Sequence, residues 1–105
     1  MNLHLACEPI EGIDGENLRR MHDVLSSYLD IRRVWIFGSL ARGRKSDWRS
    51  DLDLAVEGLP VNLHARFWSE LDQAVSMPVD VIRWETASAL LREEITKWGK
   101  LLYET

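Results

Sequence analysis

From Asp51 to Val56 the chain reads Asp-Leu-Asp-Leu-Ala-Val, a period of two that fits a β-strand and no helix. Leu52, Leu54 and Val56 can face a core only if Asp51, Asp53 and Ala55 face the other side. The two carboxylates then stand two rises apart, roughly 6.5–7 Å between Cα atoms. Carboxylates pointing the same way suit a pair of hard divalent cations. Upstream, the apolar run Val34-Trp35-Ile36-Phe37 leads into Gly38-Ser39-Leu40-Ala41-Arg42-Gly43. A Gly-Ser turn that opens a helix offers free backbone N–H groups to a phosphate. The two pieces together predict a nucleoside triphosphate site.

The other segments supply a frame for that stretch. Leu3–Cys7 reads as a short extended piece, closed by the turn Glu8-Pro9-Ile10-Glu11-Gly12. From the N-cap candidate Asp14, Leu18, Met21, Val24, Leu25, Tyr28 and Leu29 recur at helical spacing to about Asp30. Strands follow over Ile31–Phe37 and Asp51–Glu57, with a short helix capped by Ser39 between them. Asn62 to about Ser76 is helical, with Leu63, Phe67, Leu71, Ala74 and Val75 on its buried stripe. Val79–Trp84 is a strand, Thr86 caps a helix through Leu90, Leu91 and Ile95 to Trp98, Gly99 suits a C′ position, and Lys100–Glu104 is a terminal strand. Strands alternating with helices predict an α/β fold with a small mixed sheet flanked by helices. The 105 residues are one domain's worth, so residues 1–105 are expected to form a single domain.

Charge and composition remove several classes. No apolar run approaches the roughly 20 residues of a membrane span, and the N-terminus lacks a basic leader, so a cytoplasmic protein is expected. Cys7 is the sole cysteine, which excludes an internal disulfide, and it makes no zinc pattern with the three histidines. Thirteen Lys and Arg against seventeen Asp and Glu give a net charge of -4, which argues against binding nucleic acid through its phosphates. Arg42, Arg44, Lys45 and Arg49 nevertheless form a basic island broken only by Asp47. An arbitrary cluster of this kind is a solvated loop; its place between the phosphate turn and the carboxylates favours polyphosphate attraction.

If Val79–Trp84 pairs beside the Asp51 strand with its valines in the core, Asp80 joins the same open face. Three converging carboxylates repel one another unless a cation neutralises them. Two magnesium ions roughly 3.5–4 Å apart can bridge the attacking and leaving oxygens of an in-line displacement at phosphorus. Asp51 and Asp53 would hold both ions, and Asp80 would bind the ion nearer the attacking hydroxyl and accept its proton. Gly38 lets backbone approach the triphosphate closely, and Ser39 and the following N–H groups bind its oxygens. Arg42 either holds the turn through a salt bridge or contacts phosphate; its place one helical turn beyond Ser39 favours the first. His4, His22 and His64 have no ligand partner at useful spacing. Trp68 and Trp98 read as core or interface anchors, whereas Trp48, in the polar loop beside the site, could stack on a base or meet a partner.

Gly-Ser followed by Ala-Arg-Gly, then Ser-Asp-x-Asp-Leu, then a third acid on a later strand, resembles the minimal nucleotidyltransferases (MNT) of the DNA polymerase β superfamily. The likeness covers essentially the whole chain and implies the polymerase β-like palm fold, with ATP as substrate and two magnesium ions as cofactor. In the family, residues matching Gly38 and Ser39 bind the nucleotide phosphates, and those matching Asp51, Asp53 and Asp80 bind magnesium. Once the elements are assigned, no residues remain for an acceptor domain, so the acceptor is expected on another molecule. The resemblance implies a helical HEPN-domain toxin as partner and acceptor in a hetero-oligomer, with this chain as the antitoxin that transfers AMP from ATP to a toxin tyrosine. Two alternatives stand beside it. One is transfer to a small-molecule hydroxyl such as an aminoglycoside's, although family members with that activity usually carry an additional helical domain. The other is neutralisation of the partner by binding alone.

Overall fold

The alternating segments pair edge to edge. In the computed structural model, which describes residues 4–5, 13, 15–38 and 52–105, β1 (His4–Leu5), β2 (Arg33–Phe37), β3 (Leu52–Glu57), β4 (Val79–Arg83) and β5 (Lys100–Glu104) form one sheet in the order β1-β5-β2-β3-β4. All neighbours are antiparallel except β3 and β4, and the helix between those two supplies the crossover that a parallel pair requires. The sheet is therefore mixed, as the sequence predicts. Among the described residues no helix is long and apolar enough to cross a membrane.

One face of the sheet carries the main core. Val34, Ile36, Leu52, Leu54, Val56, Val79 and Val81 meet Leu18, Met21 and Leu25 of α1 (Gly15–Ser26) and Phe67 and Leu71 of α2 (His64–Ala74). All of these are at most 7% exposed, so the period-two and helical stripes read from the sequence converge on one interior. The β2–β5 register shifts by one residue between Val34 and Trp35, so that Tyr103 lies opposite Val34 while Leu101 lies opposite Trp35. Asn17, the buried polar residue of α1, donates to Ser76 Oγ at 3.1 Å and accepts from the Ser76 N–H at 3.3 Å, tying α1 to the turn after α2.

Several element ends differ from expectation: β2 starts at Arg33 rather than Ile31, and Val61–Leu63 form a 3-10 turn ahead of α2. The first helix stops at Ser26 rather than near Asp30. There the Ser26 and Ser27 hydroxyls donate to the carbonyls of Asp23 and Val24 at 3.1 and 2.6 Å, and the N–H groups of Ser27 and Tyr28 bond three residues back, so the last turn tightens and closes. Trp84 leaves the strand and starts a 3-10 turn that contains Thr86. The helix α3 (Ala89–Trp98) starts later and is capped by Ser88, whose Oγ accepts from the Leu91 N–H at 3.1 Å. Gly99 follows α3 with extended dihedrals (φ -74°, ψ 167°), so a left-handed turn is not the reason for glycine there. A Cβ on Gly99 would press on the carbonyl oxygens of Ile95 and Ile36; close packing of the helix end on β2 is the reason. The readings of Cys7, the turn at 8–12, the Asp14 cap, the helix at 39–42, the basic loop and Trp48 lie outside the described residues.

Candidate functional site

The register of the sheet sorts the second face into rows. Phe37 pairs with Asp53 across β2 and β3, and Asp53 pairs with Asp80 across β3 and β4. Register partners share a face and stand about 5 Å apart between Cα atoms. The two acids are thus neighbours on adjacent strands, as expected from the valines of β4. Asp53 is half-buried and Asp80 exposed, so the row has an inner and an outer carboxylate.

Gly38 ends β2 beside that row. Its φ is +81°, in the region that L side chains rarely adopt. A Cβ there would collide with Asp53 Oδ2 and lie 3.4 Å from Asp53 Cγ. The main chain of the Gly38 turn therefore touches the Asp53 carboxylate directly, and only glycine allows that approach.

The next row inward is apolar. Trp35 pairs with Ala55 and Leu101, and Ala55 with Ile82. Trp84 stacks on Trp35 with centroids 4.5 Å apart and planes at 26°, and the Arg92 guanidinium lies over the Trp84 ring, 5.4 Å from its centroid. Arg92 also donates from Nε to Trp84 O and from Nη2 to Glu85 O, both at 3.0 Å. A third row closes the far end, where Arg33 bridges Glu104 at 2.8 Å and Glu57 at 3.4 Å.

Of the residues singled out from the sequence, the structure brings Gly38, Asp53 and Asp80 together; Ser39, Arg42 and Asp51 lie outside the described residues. Among the described residues no three His, Cys, Asp or Glu side chains converge as a metal site. The donor set fits magnesium, because the two in-register carboxylates of Asp53 and Asp80 supply hard oxygen ligands. Two residues that the sequence reading set aside from the site, His64 and Trp68, lie beside it. His64 Nε2 donates to Val81 O at 2.8 Å and Trp68 Nε1 to Val79 O at 2.6 Å, on either side of Asp80. Their one visible signal is a four-residue spacing on the helix that precedes the Asp80 strand, since a backbone carbonyl partner leaves no mark in a sequence.

The family model for "Polymerase beta, Nucleotidyltransferase" matches residues 19–105. A solved structure assigned as a minimal nucleotidyltransferase is 34% identical, with a TM-score of 0.67, over 83% of this chain and 94% of its own. A toxin–antitoxin crystal structure with AMP-PNP is 25% identical, with a TM-score of 0.73, over 85% of this chain and 74% of the other. A complex from Shewanella oneidensis, of a tri-AMPylated HEPN toxin with its MNT antitoxin, shares the fold at 22% identity and a TM-score of 0.66, over 85% and 71% of the two chains. No functionally curated protein matches the chain.

Proposed function

Because the chain belongs to the polymerase beta nucleotidyltransferase family, we propose that it is an antitoxin that transfers AMP from ATP to a tyrosine hydroxyl of a HEPN-domain toxin, releasing pyrophosphate. The observation that carries the reading is the in-register pair Asp53–Asp80 beside the Gly38 turn. The toxin–antitoxin structure with AMP-PNP and the AMPylated Shewanella complex support the choice of nucleotide and acceptor.

In this reading Gly38 brings its backbone against the triphosphate, and Ser39 with the N–H groups after it binds the phosphate oxygens, with Arg42 holding the turn. Asp51, Asp53 and Asp80 would hold two magnesium ions. When bound, these neutralise charge on the phosphates and make the acceptor hydroxyl more acidic. Asp80, the exposed member of the pair, takes the hydroxyl proton. The hydroxyl oxygen then bonds to the α-phosphorus as the bond to the bridging oxygen breaks, and pyrophosphate leaves in line. The acceptor approaches Asp80, the solvent-exposed carboxylate of the row. In this reading the activity is cytoplasmic, where ATP is at hand.

Intact mass spectrometry of the HEPN partner after incubation with ATP and magnesium tests this. AMP adducts are expected with the wild-type chain and none with Asp53→Asn or Asp80→Asn. Absence of any adduct, or an adduct undiminished by both substitutions, overturns the proposal. Full neutralisation of the toxin by the substituted chains would favour the binding-only reading, and AMP transfer to an aminoglycoside without the partner would favour the small-molecule one.

A further inference from the structure

Among the described residues β4 is the last strand of the sheet and has a ladder on one side only. Pro78 O accepts from the Leu52 N–H at 2.8 Å, so the carbonyls that point toward β3 belong to Pro78 and, by alternation, Asp80. Those of Val79 and Val81 point outward, away from the sheet. In an ordinary edge strand such carbonyls bond to water. Here α2 reaches them with two side chains one turn apart: Trp68 Nε1 donates to Val79 O at 2.6 Å and His64 Nε2 to Val81 O at 2.8 Å. The two rings stack on each other, with centroids 5.6 Å apart and planes at 24°. A carbonyl oxygen can only accept, so His64 carries its proton on Nε2.

Asp80 is the residue between the two gripped carbonyls. We propose that His64 and Trp68 are positioning residues for Asp80: they clamp the free edge of β4 so that this carboxylate keeps its place beside Asp53. The inference rests on the reading of Asp80 as a metal-binding carboxylate. Physically, a parallel pair is slightly less stable per residue than an antiparallel one, and a functional carboxylate must be held to within about 0.5 Å. The core face of β4 is fixed by Val79 and Val81, but packing of two valines leaves the strand free to rock about its own axis. Hydrogen bonds to the outer carbonyls remove that freedom.

Trp68→Phe keeps the ring and deletes the donor. His64→Leu deletes the second donor, and His64→Gln restores an N–H at a similar reach. Manganese binding is measured by calorimetry on the full chain with a non-hydrolysable ATP analogue and no acceptor, together with amide hydrogen exchange across Val79–Arg83 and thermal unfolding. Both deletions are expected to fold, to raise the metal dissociation constant by about 3- to 10-fold, somewhat less than the loss of a partner bonded directly to a ligand, and to speed exchange in β4. His64→Gln is expected to recover most of the affinity. Metal binding unchanged in folded Trp68→Phe and His64→Leu overturns the proposal, and His64→Leu decides alone should Trp68→Phe fail to fold. Asp80→Asn separates the two levels. If it leaves metal binding intact, the reading of Asp80 fails and the inference with it; if it abolishes binding while the clamp variants do not weaken it, the inference alone fails.

Discussion

Gly38→Ala tests the contact between the phosphate turn and the acid row. The alanine must adopt φ near +81°, which costs about 1–2 kcal/mol for an L side chain; the smaller entropy of its unfolded chain returns roughly 0.4–1 kcal/mol. The new methyl group also overlaps Asp53 Oδ2, the far end of a side chain that can rotate away. The net loss of stability is therefore about 1 kcal/mol, a fall in Tm of about 4–8 °C for a domain of this size. Activity suffers more, because a displacement of about 1 Å at a reacting group costs on the order of 100-fold. Gly58→Ala is the matched control. Gly58 has φ +93°, but its Cβ would meet the rigid backbone of Asp30 and lie 3.2 Å from Arg32 N, at the far end of β3. It should lose roughly 2–4 kcal/mol while the folded fraction keeps its turnover. Circular dichroism melts give the first quantity, and transfer of labelled AMP per folded molecule gives the second. Activity of Gly38→Ala within about threefold of wild type, or equal activity losses in the two variants, would refute the reasoning.

Ser88→Ala removes the cap of α3 and should cost about 1 kcal/mol, read as a fall in Tm of about 4–8 °C. Tyr28 donates to Glu70 at 2.6 Å, and burial, followed by that hydrogen bond, pushes its phenol up to about 12. The folded state thus holds the phenolic proton more tightly than the unfolded chain, whose tyrosine titrates near 10. The linked stability is complete below pH 10 and disappears as pH rises from about 10 to 12. Glu70 shifts the opposite way, held below the usual carboxylate range first by the Tyr28 hydroxyl, so its contribution fades as pH falls through the carboxylate range. Tyr28→Phe should flatten both limbs of a plot of Tm against pH; a variant that melts in parallel with wild type across pH 10–12 would contradict the assignment.

The parts of the fold that were legible in the sequence are those where side chains meet side chains. The alternation in Leu52–Val56 and Val79–Val81 assigned faces, and faces put Asp80 on the same side of the sheet as Asp53, where the register makes them neighbours. What escaped are contacts with backbone. The hydroxyls of Ser26 and Ser27 end α1 by bonding carbonyls one turn back, although the apolar stripe continues to Leu29, which is 85% exposed. Thr86 and Ser88 are both competent caps, and the choice depends on which one has a helical N–H to accept from. Gly99 is there to pack against Ile36 O, a partner more than sixty residues away. The insertion of β5 between β1 and β2 follows from no local pattern at all, because any strand with an apolar face could fill that place.

The alignment of Asp53 with Asp80 depends on two selections of different physical kind. A slip of one residue between β3 and β4 would turn the face of β4 over, exposing Val79 and Val81 and driving Asp80 toward Leu71 and Phe67. Burying that charge without a partner costs several kcal/mol, a large part of the 5–15 kcal/mol that holds a domain together. Parity is therefore secured by the core. A slip of two residues preserves every face and is invisible to hydrophobic packing, yet it would set Asp53 opposite Ile82 or Pro78 and separate the carboxylates by about 7 Å along the strand. Contacts that identify individual residues oppose it: Arg83 Nε on Leu59 O in the turn after β3 and, from α2, Trp68 on Val79 O and His64 on Val81 O. α2 joins the end of β3 through residues 58–63, so a β4 that slips against β3 also slips against those two donors. The same bonds that steady Asp80 laterally thus fix which residue of β4 stands beside Asp53, and the site's register is set by a helix whose charged and aromatic residues show no catalytic pattern.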